Sequence, residues 1–309
     1  MSGAAIVVLG PGALATAARL CAALPGSAVH GLRSRLDGRV DQTYDDFGAH
    51  LRSLHREGRA IVALCAAGIV IRALAAPLAA GDDKRDDPPV LAVAEDGSAV
   101  VPLLGGLAGA NELARRLAAA LAVAPAITTS GELRFGTCLL HPPAGYALVD
   151  LEAGKRFVAD LLAGEAVRVE GDAPWLAEAR LPLDANAAKR VRITPYAEAP
   201  AADLLPIHPR SVAVALDAAA DEPGPAIVQR VLAALERGGL ARAALAVLLA
   251  PAHCMRHPGL AAAAGALGAA LRYLDADPAS PPAQWLAAEL PEAEPVSYTH
   301  LTLPTNSRV

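Results

Sequence analysis

Residues 65–130 read CAAGIVIRALAAPLAAGDDKRDDPPVLAVAEDGSAVVPLLGGLAGANELARRLAAALAVAPAITTS. Short apolar runs alternate in this stretch with glycine-rich turns and with one dense cluster of charged residues. Strand-length apolar runs separated by helical segments predict a mainly parallel sheet that is covered by helices on both faces. The loops at the ends of such strands commonly carry the ligand contacts. We therefore expect the functional residues of the chain in these loops.

The same alternation extends to the N-terminus, so we interpret residues 1–131 as one α/β domain. The Asp96-Gly97 pair between two apolar runs predicts a hairpin turn, and Asn111 is expected to cap the helix that follows it. The predicted strands are 4–9, 27–30, 60–65, 90–94, 99–102 and 126–129. The predicted helices are 13–24, 47–57, 69–78 and the one that follows Asn111 and ends at residue 121.

The remainder of the chain divides into three parts. Residues 132–205 are rich in proline, and we interpret them as a small middle segment or insert domain with a helix near 155–163. Residues 206–290 repeat a strand–helix–strand–helix order, which predicts a second, smaller α/β domain. Residues 291–309 are expected to be a linker and an artefactual tail, because residues 297–309 contain no alanine after an alanine-rich chain.

Composition excludes several classes of protein. The chain has 309 residues, a net charge of −5 and 3% aromatic residues, which argue against nucleic acid as its main partner. Its apolar runs are too short or too interrupted to form a membrane span of roughly 20 residues. The four cysteines are widely spaced and form no CxxC pair, which is typical of free thiols in a reducing compartment. We expect a cytoplasmic protein.

Two local motifs suggest ligands but have simpler structural explanations. Gly10-Pro11-Gly12 resembles part of a dinucleotide-binding turn. However, Arg33 and Arg35 lie where such a fold needs an acid, so we interpret the motif as an ordinary strand–helix turn. The segment His253-Cys254-x-x-His257 contains three ligands for a soft metal without a matching partner set. We interpret it as a surface loop and predict no metal site in the chain.

Several blocks in the opening stretch resemble one family closely. They are AAGIVIR at 66–72, the set Asp83, Lys84, Asp87, Pro88 and Val90, PLLGGLAGANELA at 102–114, and the pair Thr128-Thr129. In this order they resemble the cobalamin-biosynthesis family CbiG, the cobalt-precorrin-5A hydrolases. The family has a histidine in the third block, which is one residue shorter in this chain. Counted from Pro102, the histidine aligns with Leu107; counted back from Asn111, it aligns with Gly106. The C-terminal blocks of the family are degenerate here, with Asp217 and residues 252–260 in their places.

The resemblance implies a reaction and roles for particular residues. The family reaction opens the δ-lactone of cobalt-precorrin-5A with release of acetaldehyde, and the cobalt arrives inside the corrinoid substrate. Arginine and lysine suit the carboxylates around such a ring. By resemblance, Asp87 or Glu112 is the catalytic base, and the residues that bind the substrate are Arg72, Lys84, Gly105, Gly106, Gly109, Asn111, Thr128 and Thr129. Each of these roles has a structural alternative. The charged cluster at residues 82–87 is also typical of a solvated turn. Asn111, Thr128 and Thr129 are also typical of helix caps.

Two other functions remain open at this point. Similar sequences form the N-terminal part of a fusion with a precorrin-3B C17-methyltransferase, whose S-adenosylmethionine site would lie in a further domain. A corrinoid-binding module without catalytic activity is the second, and the missing histidine favours it. In each case we expect a precorrin or cobalt-corrinoid ligand and other cobalamin-pathway enzymes as partners.

Overall fold

The computed structural model of the chain describes residues 3–80, 87–275, 281–290, 293–297 and 301–304. It consists of two compact units, Met1–Leu133 and Arg134–Val309. Each unit has its own sheets and its own apolar cores.

The first unit is built on a six-stranded sheet. Its strands in chain order are β1 (Ala5–Val8), β2 (Ala28–Leu32), β3 (Gln42–Tyr44), β4 (Ile61–Leu64), β5 (Val90–Val93) and β6 (Val100–Leu104). They lie in the order β3-β2-β1-β4-β5-β6, and every pairing is parallel except that of β5 with β6. The predicted α/β fold with a mainly parallel sheet is confirmed.

Helices cover both faces of this sheet. They are α1 (Leu14–Ala23), α2 (Arg33–Leu36), α3 (Phe47–Arg56), α4 (Ala67–Ala80) and α5 (Ala110–Leu121). A sixth helix, α6 (Ser130–Phe135), follows them in the chain. Leu20 of α1 and Leu117 of α5 are fully buried in the core on one face. Leu51 of α3 and Leu74 of α4 are fully buried in the core on the other. The strands are apolar on both faces because both faces are covered.

The predicted hairpin is present and reverses the chain. Gly97 adopts a left-handed conformation with φ 80°, and the side chain of Asp96 accepts a hydrogen bond of 2.9 Å from the backbone of Ser98. Hydrogen bonds from the side chain and from the backbone of Ser98 lower the pKa of the Asp96 carboxyl. Because β6 runs back, it ends at the edge of the sheet where the parallel strands begin. The loop after β6 therefore lies at the amino edge of the sheet, opposite to the loops that follow β1 and β4.

Two details of the predicted first unit are wrong. Residues 126–129 form no strand, since only Pro125 makes a bridge to Val100 of β6. The next hydrogen bond of that parallel ladder would need an N–H from Pro102, which proline lacks. Asn111 is not an N-cap, because Gly109 occupies that position and Asn111 lies inside the first turn of α5. The short elements α2 and β3 were not predicted, because three or four residues carry too little periodicity.

The second unit contains two further sheets. The first has β7 (Tyr146–Ala147), β8 (Val167–Glu170), β9 (Lys189–Ile193) and β10 (Leu204–Pro209) in the order β7-β10-β9-β8, with α7 (Leu151–Ala163). Phe157 of α7 packs with Val191 and Ile207 in its core. The helix predicted near 155–163 is present, but the middle segment also has a sheet of its own that includes residues beyond 205.

The last sheet is the smaller α/β element of the C-terminal part. It contains β11 (Val212–Ala215), β12 (Leu245–Pro251), β13 (Ala270–Leu274), β14 (Ala293–Ser297) and β15 (Leu301–Pro304) in the order β13-β12-β11-β15-β14. Its helices are α8 (Gly224–Arg237), α9 (Pro258–Leu267) and α10 (Pro282–Glu289). Strands β11, β12 and β13 are parallel neighbours, and β15 pairs antiparallel with β11.

Part of the C-terminal tail pairs with the last sheet. Residues 297–309 differ from the rest of the chain in composition, and residues 301–304 of this tail form the strand β15 beside β11. Strand pairing uses backbone groups, so a change in side-chain composition does not prevent it. Within the described residues, none of the helices is both long and apolar enough to cross a membrane.

A buried histidine cluster lies against the sheet of the first unit. His30 on β2 is fully buried, and its Nδ1 lies 2.8 Å from Nε2 of His50 on α3. The ring of His50 stacks on Tyr44 at 4.7 Å between centroids, and the Tyr44 hydroxyl donates to the carbonyl of Val8. Burial, together with the neighbouring charges of His50 and Arg59, lowers the pKa of His30 to about 4.

This cluster predicts a specific loss of stability in acid. A histidine whose pKa is lowered in the folded state is neutral there but binds a proton when the chain unfolds. Its stabilisation is fully present above the unfolded pKa of about 6.5 and is lost as the pH falls toward about 4. Between about pH 7 and about pH 5, His30→Gln should remove about 2 kcal/mol of this pH dependence. Urea unfolding followed by circular dichroism measures it, because both tryptophans, Trp175 and Trp285, lie in the other unit. An unchanged pH dependence in the variant would contradict this account.

Candidate functional site

The glycine loop after β6 packs directly on the segment that precedes β5. Gly105 and Gly109 both have left-handed backbones, with φ 73° and 94°. A Cβ atom on Gly105 would collide with the carbonyl group of Pro88, so only glycine allows this close approach. The approach places the loop beside Asp87, the residue immediately before Pro88. Between the two glycines, residues 106–108 form one turn of 3₁₀ helix in which Leu107 is half-buried and Gly106 is exposed.

A histidine that the sequence analysis did not select lies against Asp87. Nε2 of His55, near the end of α3, is 3.3 Å from Oδ1 of Asp87, and both side chains are largely buried. Among the described residues, this nitrogen has no hydrogen-bond partner of good geometry. The pair places an imidazole beside a carboxylate, and these are the two kinds of group that a general base and its positioning residue commonly use. It lies at the amino edge of the sheet, beside the glycine loop.

A second polar network lies at the start of α5. Nδ2 of Asn111 donates to Oε1 of Glu132 at 2.7 Å and to Oγ1 of Thr129 at 3.0 Å. The other oxygen of Glu132 accepts from Arg115, and the Glu132 side chain is only 3% exposed. A buried carboxylate requires such donors, because leaving it unpaired is costly. This network ties residues 129–132 to the first two turns of α5. It accounts structurally for Asn111 and Thr129.

The N-terminal end of α5 carries no side-chain cap. Gly109 occupies the N-cap position and has no side chain that could accept from the first turn. The orphan N–H groups and the helix dipole favour an anion at such an end. Glu112 is 76% exposed and lies 3.5 Å from Arg115, so it is a solvated first-turn acid. Thr128 is exposed and lies in the segment before α6.

Arg72 lies toward the opposite edge of the sheet. It is exposed on the second turn of α4, and its Nη1 is 3.6 Å from the position of a Cβ on Gly68, so the side chain points back to the start of the helix. That start follows the carboxyl end of β4. Ile69 and Ile71 beside it are 40% and 54% exposed. The outer face of α4 therefore presents an apolar surface with one guanidinium group.

The turn after β1 has no space for a phosphate at its second glycine. A Cβ on Gly12 would lie 2.5 Å from a carboxylate oxygen of Glu95, so an acid occupies the position that a dinucleotide phosphate would need. Residues 11–13 form a short 3₁₀ turn that leads into α1. These contacts support the interpretation of Gly10-Pro11-Gly12 as a structural turn. Burial raises the pKa of the Cys65 thiol, which follows β4, to about 11 and keeps this thiol protonated.

The structure brings together part of the expected site. Asp87, Gly105, Gly106, Gly109 and Asn111 lie at the amino edge of the sheet, and Arg72 points toward the carboxyl edge. Glu112 and Thr129 belong with the first group, and Lys84 lies outside the described residues. The sequence analysis missed His55, Arg115 and Glu132. His55 carried no signal in its own segment, because its partner Asp87 is 32 positions away and meets it only through the fold.

Comparisons with known proteins bear on this domain. Residues 49–132 match a family model described as "Cobalamin synthesis G N-terminal". The chain is 37% identical over 131 residues to the cobalt-precorrin-5A hydrolase of Salmonella typhimurium, covering 42% of this chain and 36% of that protein. It is 36% identical over 85 residues to the cobalt-precorrin-5A hydrolase of Priestia megaterium, covering 27% and 22%.

These matches define an N-terminal cobalamin-synthesis domain in an α/β protein. Through residues 49–132 the chain is similar to the N-terminal domain of the CbiG family. The matches span about a third or less of the length of the curated relatives. A solved structure of a cobalamin biosynthesis protein G homolog from Sulfolobus solfataricus aligns over 98% of both chains at 16% identity, with a TM-score of 0.39. That similarity is too low to support a conclusion about either unit.

The close packing of the glycine loop predicts an unequal effect of two identical substitutions. Gly105 and Gly58 both have left-handed backbones, with φ 73° and 67°, but a Cβ on Gly58 would enter open space. Gly58→Ala should cost about 1–2 kcal/mol for the backbone conformation alone. Gly105→Ala should cost at least about 1 kcal/mol more, because Pro88 must also move. Urea unfolding of both variants measures the difference, and equal losses would show that the loop does not rest on Pro88.

Proposed function

We propose that this chain acts in cobalamin biosynthesis on a corrinoid intermediate, as a lactone-opening enzyme of the cobalt-precorrin-5A hydrolase type. The observation that carries the proposal is the family match over residues 49–132, in which the matched blocks include Asp87 and the Gly105–Gly109 loop. The relatives that share this segment are named cobalt-precorrin-5A hydrolases. The geometry of the amino edge supports the same chemistry.

The reaction requires an activated water and a stabilised oxyanion. Water adds to the acyl carbon of the δ-lactone, and the ring C–O bond breaks to give a carboxylate and an alkoxide. The alkoxide oxygen becomes the carbonyl oxygen of acetaldehyde as the carbon–carbon bond to the macrocycle breaks. The electron pair of that bond stays on the macrocycle, which takes up a proton. A general base must accept the proton of water, and N–H donors must face the developing oxyanion.

The amino edge contains groups of both kinds. His55 is our candidate for the base, and Asp87, 3.3 Å from its Nε2, is the group that orients it. The uncapped N-terminal turn of α5, with the glycine loop before it, supplies N–H groups for the oxyanion. Glu132 and Asn111 hold this turn in place through their buried hydrogen bond. In this arrangement Glu112 is a surface acid and takes no part in proton transfer.

The outer face of α4 is the surface that we assign to the macrocycle. Its exposed isoleucines, Ile69 and Ile71, suit the apolar ring, and Arg72 beside them suits a peripheral carboxylate. Lys84 follows Ala80, the last residue of this helix, by four positions in the sequence and is our second candidate for a carboxylate contact.

Removing either cation should weaken corrinoid binding. Arg72→Ala and Lys84→Ala each remove a charge-assisted contact worth roughly 1.5–3 kcal/mol, or about 10- to 150-fold in affinity. Arg116→Ala is the matched control, because Arg116 is exposed on α5 at the other face of the sheet. Titration with a cobalt-corrinoid carrying free carboxylates should separate the variants, and titration with its amidated counterpart should not. Equal affinity of Arg72→Ala and the parent would exclude Arg72 from the site.

Position 107 should set the rate of lactone opening. Leucine cannot transfer a proton, so we expect slow or absent hydrolysis by the unmodified chain, with ring binding retained. Leu107→His should raise the rate by about 10²–10⁴-fold, the usual contribution of one general acid–base group. His55→Gln should remove the remaining activity. Acetaldehyde release from the lactone-bearing corrinoid is the measurement, and rapid hydrolysis that survives His55→Gln would contradict these roles.

The alternative that a specific observation favours is a corrinoid-binding module without catalytic activity. Leu107 is that observation, because an apolar side chain that cannot transfer a proton occupies the position of the family histidine. Tight ring binding without hydrolysis by the parent or by Leu107→His would support this module. The methyltransferase fusion remains a proposal about a further domain, and its S-adenosylmethionine site would lie outside this sequence.

A further inference from the structure

Three potential metal ligands converge in the C-terminal α/β element. Asp217 follows β11, and His253 and Cys254 follow β12, which is the parallel neighbour of β11. The carboxyl ends of parallel neighbours lie side by side, so two separate loops bring these residues to one point. One nitrogen, one sulfur and one oxygen of the three side chains lie within 4.8 Å of one another. The sequence analysis had grouped His253 and Cys254 with His257 instead.

We propose that Asp217, His253 and Cys254 form a binding site for a divalent transition metal, with Zn²⁺ as the best chemical match. Nitrogen, sulfur and oxygen ligands together suit this borderline-soft ion. The site lies in the second unit and is independent of the proposed lactone-opening function.

Two of the three distances between ligand atoms match a tetrahedral site. Nε2 of His253 lies 3.3 Å from Oδ1 of Asp217, and Sγ of Cys254 lies 3.4 Å from the same oxygen. Zinc bonds of roughly 2.0–2.3 Å at tetrahedral angles separate two ligands by roughly 3.3–3.6 Å. The His253–Asp217 and Cys254–Asp217 spacings are therefore compatible with two ligand pairs around one ion.

The surroundings fix one side of the site and leave the other open. Cys254 is buried at 4% exposure, whereas the side chains of Asp217 and His253 are nearly half exposed. Nη2 of Arg230 donates to the backbone carbonyl of Asp217 at 2.8 Å, which holds this loop in position. A cleft of about 400 Å³, lined in part by Asp217, Arg230 and Arg237, opens beside it. Three protein ligands with an open fourth position are typical of zinc sites that hold a water or a ligand.

His257 has a different role in the structure. Its Nε2 lies 2.7 Å from the carbonyl oxygen of Ala219, and its Nδ1 accepts from the backbone of Leu260 at the start of α9. Both ring nitrogens are therefore engaged in holding the loop and capping the helix. This gives a matched control, because a histidine four positions from His253 should not contribute to metal binding.

The test is titration of the metal-free full chain with Zn²⁺, and with Co²⁺ as a spectroscopic probe. We expect one ion per chain, and for Co²⁺ a thiolate charge-transfer band with tetrahedral ligand-field bands. Replacing a residue that only supports a metal ligand commonly lowers the affinity for the metal 10- to 100-fold. Replacing a ligand itself should cost more, so we expect Asp217→Asn and His253→Gln each to lower the affinity for Zn²⁺ by about 100-fold or more. His257→Gln should change the affinity by less than about tenfold. Cys254→Ser should remove the charge-transfer band, with Cys21→Ser as its control.

Several outcomes would overturn the site. Absence of stoichiometric Zn²⁺ binding by the unmodified chain would do so, as would a thiolate band that survives Cys254→Ser. An equal loss of affinity in His253→Gln and His257→Gln would show that the ligands are not those proposed. Circular dichroism of each variant tests its folding. If the buried Cys254→Ser variant fails to fold, the half-exposed Asp217 and His253 variants still decide the question.

Discussion

The antiparallel pairing of β6 with β5 is the constraint on which the candidate site depends. Four parallel strand pairings place the carboxyl ends of β1 to β5 at one edge of the first sheet. A doubly wound fold normally binds its ligands at this edge. The turn at Gly97 reverses the chain, so the loop at 105–109 and the start of α5 lie at the opposite edge. There the loop lies beside Asp87, which precedes β5, and His55, which lies near the end of α3. A parallel β6 would separate these groups by the full height of the sheet.

This reversal also limits what the sequence could predict. Apolar runs of strand length and the Asp96-Gly97 pair were sufficient for the mainly parallel sheet and for the hairpin, because both signals are local. The strand predicted at 126–129 is absent because Pro102, on the neighbouring strand β6, has no N–H to pair with it. Nothing within residues 126–129 indicates this. The incorrect cap at Asn111 has a similar origin, since its side chain serves Thr129 and Glu132 across the fold. Long-range partners of this kind leave no periodic trace in a single sequence.

The candidate site was predictable only where short blocks of the sequence resemble the family. Asp87, Gly105 and Gly109 lie in those blocks, and the structure adds a physical reason for the two glycines in their left-handed backbones. His55 lies outside the family-like blocks, and only its distance to Asp87 in the fold identifies it. The ligand set around Cys254 is a parallel case, because Asp217 lies 37 positions away and joins the site through the pairing of β11 with β12.

The central claim is that a corrinoid binds along α4 and reacts at the amino edge of the first sheet. Hydrogen–deuterium exchange of the full chain, with and without a carboxylate-bearing cobalt-corrinoid, tests it most directly. The account predicts slower exchange in α4 and in residues 105–112, with the Gly10–Gly12 turn unchanged. Protection confined to the turn after β1 and to the carboxyl edge would contradict it, because that pattern would place the ligand at the edge of the sheet remote from His55 and Asp87.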